Sequence, residues 1–203
     1  MNENIFVYMF PGMMLMWVLF IAQNAMADIY GEQEKKTLQR MQTSPTTVNQ
    51  IVISKILRCF LLCYISEGLL ILFTTFVFGM SWGNLFFQIL VMGAVNLAIT
   101  GLLSLVYSLA KRKTQADAIS LVVILFSSML GGGMVPFEEM PVFMKAIGQW
   151  TINRMGAQGI QAIIRSEPLT KIVFPFLYST VFGLISVMAG MHWFKRRLER
   201  GEA

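Results

Sequence analysis

The sequence predicts an all-α, polytopic transmembrane helical bundle of about five spanning helices, and three observations carry that prediction. Of its 203 residues, 56% are hydrophobic and only 13% are charged, where a soluble domain carries about 25% charged residues. Five stretches of mostly apolar residues each reach the roughly 18 residues needed to cross a hydrocarbon core. These stretches are continuous rather than short and alternating. Lipid offers the backbone no hydrogen-bond partners, so continuous apolar runs select helices over a closed barrel.

The expected spans are Ile5–Ala27, Ile56–Gly79, Leu85–Leu109, Ala118–Val135 and Ile172–Phe194, within one transmembrane domain covering 1–203. The first has no basic n-region, is long for an h-region and lacks a convincing cleavage site, so it reads as a span and not a signal peptide. Pro11 and Pro175 are expected near helix ends, where a missing amide does least harm. The 16 Phe, 4 Trp and 5 Tyr suit bundle packing and headgroup anchoring. The 16 Met give adaptable packing surfaces. Cys59 and Cys63 lie one helical turn apart, which is poor disulfide geometry, and read as small packing residues.

Charge sets the orientation. Lys35, Lys36, Arg40, Lys55 and Arg58 flank the first connection; Lys111, Arg112 and Lys113 fill the third; Lys195, Arg196, Arg197 and Arg200 end the chain. The opposite side carries only Lys145, Arg154, Arg165 and Lys171, offset by Glu138, Glu139 and Glu167. The positive-inside rule then puts the N-terminus outside and the C-terminus in the cytoplasm. Basic residues in separate clusters, rather than one stripe, are a topology signal and not a nucleic-acid surface.

Two connections are more than links. Residues 28–55 begin with a charged helix bearing Leu38 and Met41. Ser44-Pro45 breaks it, because the residue before proline is pushed away from helix. Thr46 or Thr47 then caps a second helix with Val48, Ile51, Val52 and Ile56 on one face, expected to lie at the membrane surface and run into span two. This segment is either a solvated loop or a docking element for a cytoplasmic partner. Residues 136–171 carry an amphipathic stripe of Met140, Phe143, Met144, Ile147 and Trp150, followed by a shorter stripe of Met155, Ile160, Ile163 and Ile164. They form either a gate over an outward exit, with Pro136, Phe143 and Trp150 as candidate residues, or interfacial helices that only tie spans four and five together.

These connections carry a resemblance. The run YGEQEKKTLQRMQTSPTTVNQIVISKIL resembles the cytoplasmic segment of ATP-binding-cassette (ABC) type-2 permeases, in which an acidic residue precedes Gly-Thr-Leu, then Ser-Pro, then Gly-Lys-Ile or Gly-Lys-Leu. Glu32 or Glu34, Thr37, Leu38, Ser44, Pro45, Lys55, Ile56 and Leu57 match; Lys36 and Ser54 stand where the family has Gly. The stretch from Gly131 to Ile164 is similar to the family's outward segment, with Ile152-Asn153-Arg154 in place of Asn-Pro. The resemblance implies a multi-pass permease of a bacterial cell membrane, active as an exporter. The five spans would be spans two to six of a six-span half. Glu32, Glu34, Thr37, Leu38, Met41, Ser44 and Pro45 would couple to a separate ABC ATPase subunit, which would bind ATP and Mg, and a second permease half would complete the path.

The chain's own chemistry agrees with a transport role. It has no G-x-x-x-x-G-K-[ST] motif to cradle phosphates, no catalytic triad and no metal-ligating cluster, so no cofactor, catalytic residue or metal is expected on this chain. His192 reads as an interfacial residue. Glu67 is the one carboxylate at depth, and such a group usually faces a bundle interior or water. It either lines the path or stays protonated as a structural group, paired with Gln88 or Asn96. Asn96, Thr100 and Ser104 form a polar stripe suited to interhelical hydrogen bonds. The rival readings are a secondary transporter, a membrane scaffold or an inactive permease fragment. Paired broken helices and inverted repeats, which a secondary transporter would show, are not evident.

Overall fold

The computed structural model describes residues 3–34 and 48–199, which are mostly helical, with no strand among the described residues. Among the described residues seven α-helices follow in order: α1 (Glu3–Glu34), α2 (Val48–Phe78), α3 (Leu85–Leu109), α4 (Lys113–Leu130), α5 (Val142–Gly148), α6 (Ile152–Ile164) and α7 (Leu169–Glu199). Five of them, α1 to α4 and α7, are long and apolar enough to cross a membrane. The connections Ala110–Arg112 and Gly79–Asn84 are short, so α2, α3 and α4 run antiparallel in turn.

Helix α3 is the centre of the bundle. It packs most extensively against α7 and also meets α1, α2, α4 and α6. Val95, Ala98, Ile99 and Leu103 of α3 are fully enclosed, as are Leu15, Val18 and Leu19 of α1 and Ile160 of α6. Helix α2 is the least covered span; Leu61, Ile65, Leu69, Leu72 and Phe76 face outward. Those side chains are where lipid would lie, since an apolar residue in a bilayer needs no protein cover. Cys59 and Cys63 are free and buried between α2 and α1, their sulfurs 3.8 Å from Ala22 O and 3.9 Å from Val18 O, the packing role expected of them.

Residues 48–57 run into span two as expected, continuing α2 without a break because no Pro or Gly interrupts the run. Ile51 and Val52 turn inward, and with Ile56 and the stem of Lys55 they line an apolar crevice closed by Met26, Ser104, Gly190 and Phe194. Helix α4 starts earlier and ends at Leu130 instead of Val135, as Gly131 caps it and Gly132 takes φ +88°, a left-handed conformation that suits glycine. The stripe from Met140 to Trp150 yields only the seven-residue α5, preceded by a 3-10 turn at Phe137–Glu139. Pro11 and Pro175 sit inside α1 and α7, beyond their first turns.

The second outer helix, α6, is buried in the bundle. Thr151 caps it by accepting from Arg154 N at 3.3 Å, and Met155, Ile160 and Ile163 bury against α1, α3 and α7. Its glycines let it sink: a Cβ on Gly156 would lie 2.6 Å from Leu15 Cδ1. The α2–α3 turn docks beneath it, with Gly83 at φ +71°, where a Cβ would lie 2.4 Å from Ile163 O.

Candidate functional site

At one end of the bundle the exposed basic residues Arg58, Lys111, Arg112, Lys113, Lys195 and Arg196 gather with the C-terminal turns of α1. Helix α1 outruns its apolar span, Tyr8–Asp28, and continues as helix through Glu34. Glu32 and Glu34 therefore lie in the last turn of a helix projecting beyond the span. Thr37, Leu38, Met41, Ser44 and Pro45 lie outside the described residues.

This extension is fastened to the bundle. The Tyr30 hydroxyl lies 2.9 Å from Tyr107 O and 2.6 Å from Ala110 O, so its one proton serves two carbonyls at the open end of α3. The Tyr107 hydroxyl in turn donates to Asp117 Oδ1 of α4 at 2.6 Å. Gln23 Nε2 of α1 donates to Asp117 O at 3.2 Å. An exposed ion pair, Arg58–Asp28 at 2.8 Å, joins α2 to α1 nearby.

The buried polar centre lies between α2 and α3. Glu67 is fully enclosed, and its Oε2 accepts from Asn96 Nδ2 at 2.7 Å. Of the two partners expected for Glu67, the structure thus selects Asn96. Gln88 is buried without a hydrogen-bonding partner on either side-chain atom. Glu67 Oε1 and Asn96 Oδ1 are likewise unpaired, which leaves this polar centre only partly satisfied. Thr100, one turn on from Asn96, is buried, and Ser104 folds back on Gly101 O at 2.8 Å.

The opposite end is closed by side-chain contacts that the sequence did not reveal. The Tyr8 hydroxyl donates to Glu138, the Arg154 guanidinium stacks 3.9 Å over the Phe137 ring, and Gln161 Nε2 donates to Tyr8 O at 2.6 Å. Trp150 lies against α7, its carbonyl accepting from the Tyr178 hydroxyl at 2.6 Å, with ring centroids 6.1 Å apart. Phe143 faces outward at 64% exposure, and Pro136 is half-buried ahead of the 3-10 turn. His192 is exposed on α7.

The α3–α7 seam was also not foreseen. Ser179, Gly183, Ser186 and Gly190 form a stripe of small residues on α7. A Cβ on Gly183 would lie 2.8 Å from Ala98 N, and one on Gly190 3.1 Å from Leu105 N, so backbone meets backbone. The signal was present as small residues at spacings of four, three and four.

Comparison with known proteins bears on this arrangement. The family model described as "ABC-2 family transporter protein" matches residues 2–192. The linearmycin resistance permease protein LnrN of Bacillus subtilis (strain 168) is 22% identical over 153 residues, which cover 75% of this chain and 40% of LnrN. The chain therefore spans well under half the length of that relative. No solved structure gives a significant match. With its five apolar helices, the chain is a multi-pass bacterial cell-membrane protein, and it belongs to the ABC-2 family of transporter permeases.

Proposed function

We propose that the chain is the membrane-spanning permease subunit of an ATP-driven exporter whose ATP and Mg are bound and used by a separate ABC ATPase subunit. The observation that carries this reading is the rigid projection of α1. Its 32 residues extend about 48 Å at roughly 1.5 Å each, against a hydrocarbon core of about 30 Å. The part beyond the span leads directly into the segment Thr37–Pro45 and sits at the basic, hence cytoplasmic, end. A soluble motor that pushes on this lever would tilt helices packed against it. A ligand or motor shifts such an equilibrium only by binding one state better, so hydrolysis must change the motor's grip on the lever.

In this reading a second permease half pairs with the chain in the membrane lipid. Glu67, Asn96 and Thr100 offer polar groups to a path that opens between α2 and α3. The segment Pro136–Trp150, with Phe143 and Trp150, is the gate at the far end. Export is supported by the similarity to a permease named for linearmycin resistance, since resistance by a permease fits outward movement of a harmful compound.

The test is affinity capture from detergent-solubilised membranes, with Leu38→Asp as the control. The native chain should bring down an ABC ATPase and Leu38→Asp should lose it. If no ATPase accompanies the native chain, the reading fails.

A further inference from the structure

We infer that Tyr30, Tyr107 and Asp117 form a strut that makes the basic ends of α1, α3 and α4 one moving body. Motion of the segment that follows α1 is thereby delivered to the centre of the bundle and not only to α1 and α2. The inference rests on the ATPase-coupled reading above.

Tyr30 lies one turn before the last turn of α1, at the foot of the projecting lever. Its ring is buried and packs 6.0 Å from the Tyr107 ring at 55°. Its hydroxyl holds two of the α3 carbonyls that a helix end leaves without intrahelical partners. Tyr107 is itself fully enclosed and reaches Asp117 in the second turn of α4. Gln23 returns from Asp117 to α1, so the three helices are closed into a ring of hydrogen bonds. The intervening turn has only three residues, Ala110–Arg112, and Lys111 N donates to Gln115 Oε1 at 3.2 Å, so the turn adds little slack. Between α1 and α2 at this end lies the exposed Arg58–Asp28 ion pair, and pairs of that kind hold weakly.

A rigid ring makes a measurable statement. Spin labels on Asn24→Cys (α1) and Arg112→Cys (α4 cap), both exposed positions, report the distance across the strut. The buried Cys59 and Cys63 stay in place. The full chain, in complex with the ATPase it captures, is measured nucleotide-free and trapped with ATP and vanadate. The native distance and its spread should be the same in both states. Tyr30→Phe combined with Tyr107→Phe should give a distance that shifts between the two states by about 2 Å or more, the scale of helix shifts in switching proteins. Asp117→Asn keeps an acceptor for Tyr107 and should behave as the native chain does.

A purely packing role would broaden the variant's distribution equally in both states and would overturn the inference. So would a native distance that changes on trapping, or a double variant indistinguishable from native. Capture of the ATPase is scored on the same preparation: if it is absent, the proposed function falls and the strut's role falls with it; if present, the distances judge the strut alone. Should the double variant be recovered poorly, Tyr30→Phe alone, which frees α1 from the two carbonyls, carries the same comparison.

Discussion

Gly183 and Gly68 are both helix-interior glycines, and their surroundings give opposite expectations. A Cβ on Gly183 would meet the α3 backbone at 2.8 Å, whereas one on Gly68 meets nothing within 4 Å. Gly183→Ala should therefore destabilise the chain by about 1–3 kcal/mol through overpacking. Gly68→Ala should stabilise it by about 0.5–1 kcal/mol by removing backbone freedom. Thermal midpoints of the purified chain in detergent distinguish the two signs. At Glu67, Asn96→Leu removes the amide that donates to Glu67 Oε2 and should cost about 0.6–1.7 kcal/mol, while Glu67→Gln keeps an acceptor and should cost less. Unfolding midpoints of the two variants, compared side by side, check that order. The Glu67–Asn96 pair was legible in the sequence because a lone carboxylate at depth must find a polar neighbour. The Tyr30–Tyr107–Asp117 ring was not, because Tyr30 lies 77 positions before Tyr107 and 87 before Asp117, and nothing local marks tyrosines as partners.

Among the elements, hydropathy located all five spanning helices but misjudged where several begin and end. The reason is physical: an apolar run records where lipid lies, and a helix continues until its backbone finds a reason to stop. Helix α2 shows this at Val48–Leu57, which runs on into the span as expected, with Ile51 and Val52 facing inward. Ser54→Pro tests it. In an unbroken helix the ring clashes with the preceding turn and an amide is lost, so the cost should be about 3 kcal/mol or more. A chain that keeps its thermal midpoint would show that a hinge stands there instead. The opposite error occurred in α4, whose apolar stretch runs on to Val135 although the close-packed Gly131–Gly133 turn ends the helix first. The outer helix α6 was legible as amphipathic, able to lie in the interface or dip back into the bundle; its depth was not legible, because it depends on Gly156 and Gly159 fitting against Leu15, Val91 and Pro175.

For the whole molecule, the topology we propose from the charge asymmetry and the helix order has the α1 lever, the α3–α4 turn and the end of α7 in the cytoplasm. Single cysteines at Ser81 and Arg112 should then divide cleanly. A membrane-impermeant maleimide added to intact cells should label Ser81→Cys, and should label Arg112→Cys only after permeabilisation. The buried Cys59 and Cys63 should stay unlabelled in both cases and react once the chain is denatured. The same topology puts the lever's continuation, residues 35–45, within reach of a soluble motor and Phe143 out of its reach.

That difference gives the most direct test of the central claim. A photo-crosslinking amino acid is placed at Leu38 in one full-length chain and at Phe143 in another, and each is irradiated in native membranes. The account predicts a covalent adduct with a nucleotide-binding ABC ATPase from position 38 and none from position 143. An ATPase adduct from 143, or its absence from 38 while the chain is present and folded, would contradict it.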